Sequence, residues 1–295
     1  MTALLADPNP RPKIAPAPAG RHRIRPVIVN RSSSFNLIHL ILLIVTSVVL
    51  GRVVATAADE KKPEKKKEPP GVVVVIPLGI EPGITNKIKI RGLNLTNATD
   101  LRFSGLTNAE FKIKARGKAD VPKDHDAKKS GDTELDVELK LPEGTPAGTN
   151  SFTVVSPDGE SPPHILAVLQ PGSVEPEKEP NGSFRQAQPI EFGKTIQGVI
   201  GEPRDVDVFR FDGKAGAEIV AEVFASCYGS LLDSILTLYD DHAHIIATTD
   251  DTETSTDAVL RVKLPAAGTY FLSLIDAHDH GGPISVYHLV IASAH

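Results

Sequence analysis

Glu134-Leu135-Asp136-Val137-Glu138-Leu139-Lys140-Leu141 alternates charged and apolar residues without a break. Successive side chains of an extended chain point to opposite faces. Leu135, Val137, Leu139 and Leu141 therefore share one side, and Glu134, Asp136, Glu138 and Lys140 the other. This pattern predicts an antiparallel strand with one packed and one wet face. Thr85–Gly92 repeats it, with Ile88 and Ile90 on the inner face and Lys87, Lys89 and Arg91 on the outer. Val72–Ile76, Leu101–Ser104, Glu110–Ala115, Thr149–Val155 and Ile165–Leu169 are further strand candidates, separated by turns such as Pro82-Gly83 and Pro157-Asp158-Gly159. Seven short strands in about 100 residues, with no helical periodicity, predict a β-sandwich over 71–170. The polar stretch Lys118–Thr133 is expected to be a mobile loop within it.

The period of two resumes downstream. Thr195–Ile200, Val206–Phe211, Glu218–Phe224, Ile235–Tyr239, Ile245–Thr248, Val259–Leu264, Thr269–Ile275 and Val286–Ile291 read as eight strands. They predict a second sandwich of jelly-roll size over 179–295, with 171–178 as a Pro/Gly/Glu linker. The expected fold class is all-β: two tandem sandwiches, the second of jelly-roll size, behind an N-terminal signal or anchor helix.

Composition bounds the function. The chain has 295 residues, of which 40% are hydrophobic, enough for packed cores. A single Cys excludes an internal disulfide framework and a multi-Cys zinc site. The net charge of −5 argues against a nucleic-acid partner and hides a partition. Residues 1–34 carry +5, whereas from Gly172 onward 8 Lys/Arg face 19 Asp/Glu. Between the basic leader and Asp59 lies the apolar run Phe35–Leu50, followed by Ala55-Thr56-Ala57-Ala58. Basic flank, short apolar run and A-x-A is the order of a secretory signal. The other reading is an uncleaved anchor over 35–54, whose positive flank stays inside. Residues 1–58 thus form the leader, and the protein is expected in the periplasm, on the cell surface or secreted, touching membrane only through that segment. Residues 59–70, DEKKPEKKKEPP, are a solvated, extended linker.

Two resemblances follow from motifs. Gly92-Leu93-Asn94-Leu95-Thr96-Asn97-Ala98-Thr99 with Leu101-Arg102-Phe103, and the later Leu141–Gly148 run, resemble IPT/TIG-type immunoglobulin-like domains over 71–170. That resemblance implies a spacer or binding fold without chemistry of its own. Further on, Glu179-Pro180-Asn181, Gln197-Gly198-Val199-Ile200, Asp205-Val206-Asp207-Val208-Phe209-Arg210-Phe211 and Leu236-Thr237-Leu238-Tyr239-Asp240 occur in order. Ala247-Thr248-Thr249-Asp250-Asp251, Leu264-Pro265-Ala266-Ala267-Gly268-Thr269-Tyr270 and Tyr287-His288-Leu289-Val290-Ile291 follow. Together they resemble the bacterial pre-peptidase C-terminal (PPC) domain over about 175–293, a sandwich appended to exported proteases and other exported proteins. The resemblance implies a targeting or binding module that is not itself the catalyst.

Some members of that family, notably the collagen-binding domains of clostridial collagenases, bind calcium through an acidic leading segment and an Asp-rich turn. Glu177, Glu179 and Asn181 match the segment, and Asp205 and Asp207 the turn. The residue types suit the ion, since Ca²⁺ takes six to eight hard oxygens. The competing account is that these are solvated carboxylates. Asp250, Asp251, Glu253 and Asp257 form another acidic loop, and His242/His244 and His278/His280 are pairs at expected turns, all read as loop polarity. Cys227 is expected to be a buried small hydrophobe, and His288 to point outward from its strand. The sequence contains no G-x-S-x-G, H-E-x-x-H, phosphate loop or G-x-G-x-x-G. The expectation is a non-enzymatic exported binding or targeting protein, calcium-stabilised, with an extracellular or envelope protein or polysaccharide as partner. The alternative is a structural or auxiliary envelope subunit that contacts partner proteins.

Overall fold

A computed structural model describes residues 67–294 apart from Asp124. The leader, the signal or anchor run and most of the charged linker lie outside the described residues. Among the described residues, no helix is long and apolar enough to cross a membrane. The described chain is all-β. Its helical elements are one four-residue α-turn, Ala127–Ser130, and two single 3₁₀ turns.

The first half has two sheets. In one, Gly71–Ile76, Thr85–Leu93, Thr133–Lys140 and Glu110–Lys118 lie side by side, all antiparallel. In the other, Gly79–Ile80, His164–Val168, Gly148–Ser156 and Asp100–Ser104 are neighbours in that order. Ile88, Ile90, Leu135, Val137 and Leu139 of the first sheet meet Leu101, Phe152, Val154 and Leu166 of the second in one buried cluster. The alternation of Glu134–Leu141 is realised as expected, with every apolar residue buried.

Arg91 departs from the pattern. Expected on the wet face with Lys87 and Lys89, it is buried (4% exposed). The expected mobile loop explains why, because 118–133 folds over the end of the sheet. Arg91 Nε donates to the Ser130 carbonyl at 2.6 Å, and Nη2 donates to those of Gly131 (3.2 Å) and Asp120. Asp126 caps the short helix by accepting from Lys128 N.

The second half repeats the architecture. Val174–Pro176, Thr195–Val199, Val286–Ser293, Glu218–Phe224 and Val259–Lys263 form one sheet. Gln188–Pro189, Asp207–Gly213, Gly268–Asp276, Ser234–Tyr239 and Ile245–Thr249 form the other. Ile196, Ile219, Val223, Tyr287 and Leu289 pack against Phe209, Leu236, Leu238, Leu272 and Leu274 in a single core. The long strands fall where the alternation predicts them. The two- and three-residue edge strands, too short for any periodicity, do not announce themselves in sequence. One of them corrects the linker. Val174–Pro176 pairs in parallel with Thr195–Val199, so this part of 171–178 belongs to the second sheet system.

The two halves share a third apolar cluster of Val74 and Leu78 from the first with Ile284 and Val286 from the second. Their backbones come close at Gly229 (φ +86°), where a Cβ would collide with the Val73 carbonyl. Each half also places a histidine in this junction. His164 sits between Phe152 and the Tyr228–Gly229 turn, and its Nε2 is buried without a partner. His288 is 2% exposed, against the expectation of an outward side chain, and lies against Gly79 with Gln197 Oε1 3.4 Å from its Nε2. The strand is covered on both faces, one by the core and the other by the first half, which sequence alternation cannot reveal.

Burial lowers both imidazoles from 6.5 to about 4. The fold therefore favours their neutral forms. Their stabilisation is complete above pH 6.5 and is lost as pH falls toward 4. Shifting from pH 7 to 4.5 is expected to cost about 2–3 kcal/mol per histidine. Urea unfolding at the two pH values checks this, read as the difference in pH dependence between the parent and a His164→Gln/His288→Gln double variant, since Asp207 contributes with the opposite sign to both.

Candidate cation site

The site is built where the second half begins. After Pro176 the chain leaves the edge strand, held on both sides by the buried amide of Gln188. Gln188 Oε1 accepts from Lys178 N (2.7 Å) and its Nε2 donates to the Pro176 carbonyl (3.1 Å). This clamp, missed in the sequence, fixes Glu177 and Glu179 at the end of strand Thr195–Val199. Asn181 then tucks under them, fully buried, with its carbonyl accepting from Val208 N. Asp207 opens strand Asp207–Gly213, also fully buried.

One carboxylate oxygen from each of Glu177, Glu179 and Asp207 lies within 4.8 Å of the other two. Glu177 Oε2 accepts from Val199 N (2.9 Å), and Oε1 accepts from Asn181 Nδ2 (2.7 Å) and from the Tyr287 hydroxyl (3.1 Å). Glu179 Oε2 accepts from Asn181 N at 2.8 Å. The Tyr287 hydroxyl also lies 2.6 Å from Asp207 Oδ2. A phenol has one proton, so it can donate to only one of these two carboxylates at a time. Two buried oxygens, Asn181 Oδ1 and Asp207 Oδ1, have no protein partner. Such groups are costly to leave unsatisfied. The cluster is therefore rich in oxygen acceptors and short of positive charge. Burial first and then Glu177 push the Asp207 carboxyl up to about 9, so the folded state favours its protonated form at neutral pH.

Four of the five residues expected as ligands thus converge. Asp205 does not join them. Its Oδ2 accepts from Gly201 N (2.7 Å) and its Oδ1 from Val206 N (2.9 Å), tying off the turn before the strand. Alternation separates Asp205 from Asp207 by one residue on the same side, but the turn swings Asp205 back on its own backbone. Tyr287 was legible only as part of the Tyr287–Ile291 motif, since nothing local marks it as facing carboxylates. Gly198 makes the arrangement sterically possible. A Cβ there would overlap the Tyr287 phenol and lie 2.7 Å from Glu177 Oε2. Gly198→Ala is expected to destabilise by about 1–3 kcal/mol in denaturant unfolding, as overpacking does, and to weaken cation binding with it.

The other candidates resolve differently. Asp257 leaves the acidic loop altogether. It is buried and accepts from the backbone nitrogens of Ala225, Ser226 and Cys227, capping their turn. Asp250 and Asp251 approach Asp233 instead. Each histidine pair lies on an Asp-anchored turn, where Asp240 accepts from His242 N and His244 N and Asp276 from His278 N and His280 N. Cys227 is exposed, contrary to the expectation of burial, because it sits on the capped turn and not in the preceding strand.

Comparison with known proteins places this half. Residues 205–275 match the model of the bacterial pre-peptidase C-terminal domain. The PPC match includes Asp207, while Glu177, Glu179 and Asn181 precede it and Tyr287 follows it. A probable subtilase-type serine protease of Deinococcus radiodurans is 46% identical over 99 residues, covering 32% of this chain and 14% of the protease. The chain therefore spans a small part of that relative's length. Among solved structures, the PPC domain of a Bacillus anthracis collagenase aligns over 39% of this chain and 99% of its own, at 17% identity and a TM-score of 0.31. The periplasmic g-type lysozyme inhibitor PliG of Aeromonas hydrophila aligns over 37% and 96%, at 16% identity and a TM-score of 0.30.

Proposed function

We propose that the protein is an exported, non-enzymatic binding or targeting protein whose PPC-like half is ordered by calcium. The first half, in this reading, is an immunoglobulin-type spacer. Its partner is a protein or polysaccharide outside the cytoplasm, in keeping with the similarity to a subtilase-type serine protease and to the pre-peptidase C-terminal family. The observation that carries the cation is the convergence of Glu177 and Glu179 on two fully buried residues, Asn181 and Asp207, each with an orphaned oxygen. All donors are hard oxygens, the set that suits Ca²⁺ and not a thiophilic metal. The ion supplies charge neutralisation, and through Glu177 it ties the edge-strand segment to Val199.

Calorimetric titration tests this reading. One equivalent of Ca²⁺ is expected to bind the full chain, and Glu177→Ala or Glu179→Ala to weaken it at least tenfold. Binding that is indifferent to both substitutions would sink the assignment.

A further inference from the structure

The mouth of the cation site opens into a cavity of about 420 Å³ between the two halves. Ile76 and Leu78 of the first half and Val199 and Val286 of the second line it, together with Glu177, Glu179 and Tyr287. Apart from Gln197 and these oxygen-bearing side chains, the lining is thus apolar. Ca²⁺ takes six to eight oxygens. Glu177, Glu179, Asn181 and Asp207 offer four side chains, and Asp205, bound to its own turn, adds none. At one oxygen apiece these side chains leave at least about two positions of the shell to be filled from the cavity side.

We propose that this cleft binds a saccharide, with two vicinal hydroxyls completing the cation's shell and the C–H face of the ring packed on Ile76 and Leu78. The proposal rests on the cation reading above and names the ligand that the same site takes. Charge selects the class. Three carboxylates and a divalent cation leave one net negative charge, in a half of the chain where 19 acidic residues face 8 basic ones. A neutral diol adds no repulsion, whereas a carboxylate ligand does. Two hydroxyls on adjacent carbons present both oxygens at once, so the second coordination adds little ordering cost. Scarcity of aromatics, with 10 Phe, 4 Tyr and no Trp, does not oppose this mode, because the metal and the aliphatic wall replace a stacking platform.

Terbium luminescence tests the proposal on the full chain. The chain lacks Trp, so excitation reaches Tb³⁺ through tyrosine, and Tyr287 touches two of the ligands. Lifetimes in H₂O and D₂O count the waters on the ion. The expected result is about two or more waters, falling by about two on addition of mannose, galactose or ribose, with no sugar effect in Ile76→Arg, which fills the cleft from its wall. A count of none or one overturns the proposal by showing a closed shell, and leaves the cation reading standing. Waters displaced by acetate but by no sugar, or by neither, overturn it as well. Absence of sensitised emission, together with no calcium heat, would instead remove the cation reading and the proposal with it.

Discussion

Asp207→Asn melts higher than the parent protein in EDTA at pH 8 and no longer responds to calcium, whereas the parent gains roughly 5–10 °C in millimolar Ca²⁺. The physical basis is the fully buried Asp207 carboxyl beside Glu177 and Tyr287. With its folded value raised to about 9 from 3.8, the native state holds this proton more tightly than the unfolded chain does. The associated stability is complete below pH 3.8 and is lost as pH rises toward 9. In EDTA, this group therefore weakens the fold through the neutral range. Asparagine keeps an oxygen for the Tyr287 hydroxyl and needs no proton taken up on folding, so the metal-free protein gains. Calcium displaces the proton, and ligand binding at 100 times the dissociation constant adds about 2.7 kcal/mol. The calcium-induced rise is expected to be larger at pH 8 than at pH 5.5, because less work goes into removing the proton. Melting curves at both pH values, with and without EDTA, check sign and size together. A rise equal in Asp207→Asn would show that calcium acts elsewhere.

Replacing Arg91 by Met costs about 3–5 kcal/mol and opens the 118–133 segment to trypsin. Among the described residues, Arg91 is the side chain that donates to all three carbonyls of Asp120, Ser130 and Gly131. Hydrogen bonds from a charged donor contribute about 1.5–3 kcal/mol each, and orphaned buried carbonyls add their desolvation cost. Methionine retains the aliphatic packing, so the loss reports the guanidinium. Lys123, Lys128 and Lys129 lie in the segment and supply the cleavage points. Denaturant unfolding gives the stability change, and the rate of limited proteolysis gives the local one. A variant that unfolds at the parent's midpoint, with no new cleavage, would show that the loop holds itself.

These two sites mark what was legible in the sequence. Asn181 and the two glutamates stood out because they match the acidic leading segment that the family resemblance implies for calcium, and Asp207 because it matches the Asp-rich turn of the same resemblance. Asp205 looked equivalent to Asp207, yet it binds its own turn, because a turn redirects side chains that a straight strand would keep parallel. Arg91 looked like its neighbours Lys87 and Lys89, since burial by a loop distant in sequence leaves no trace in a period of two. His288 failed for the same reason, its outer face being covered by the other half of the protein.

The sequence by itself determined the all-β class, the place of every long strand and the acidic character of the second half, because alternation and turn residues act over a few neighbouring positions. Tertiary structure alone decided which polar groups are buried. The Tyr287 hydroxyl meets Glu177 across 110 positions of chain, and the cleft between the halves exists only once both sheet pairs have closed. Local pattern sets how a side chain points, and only the assembled sheets set what it points at.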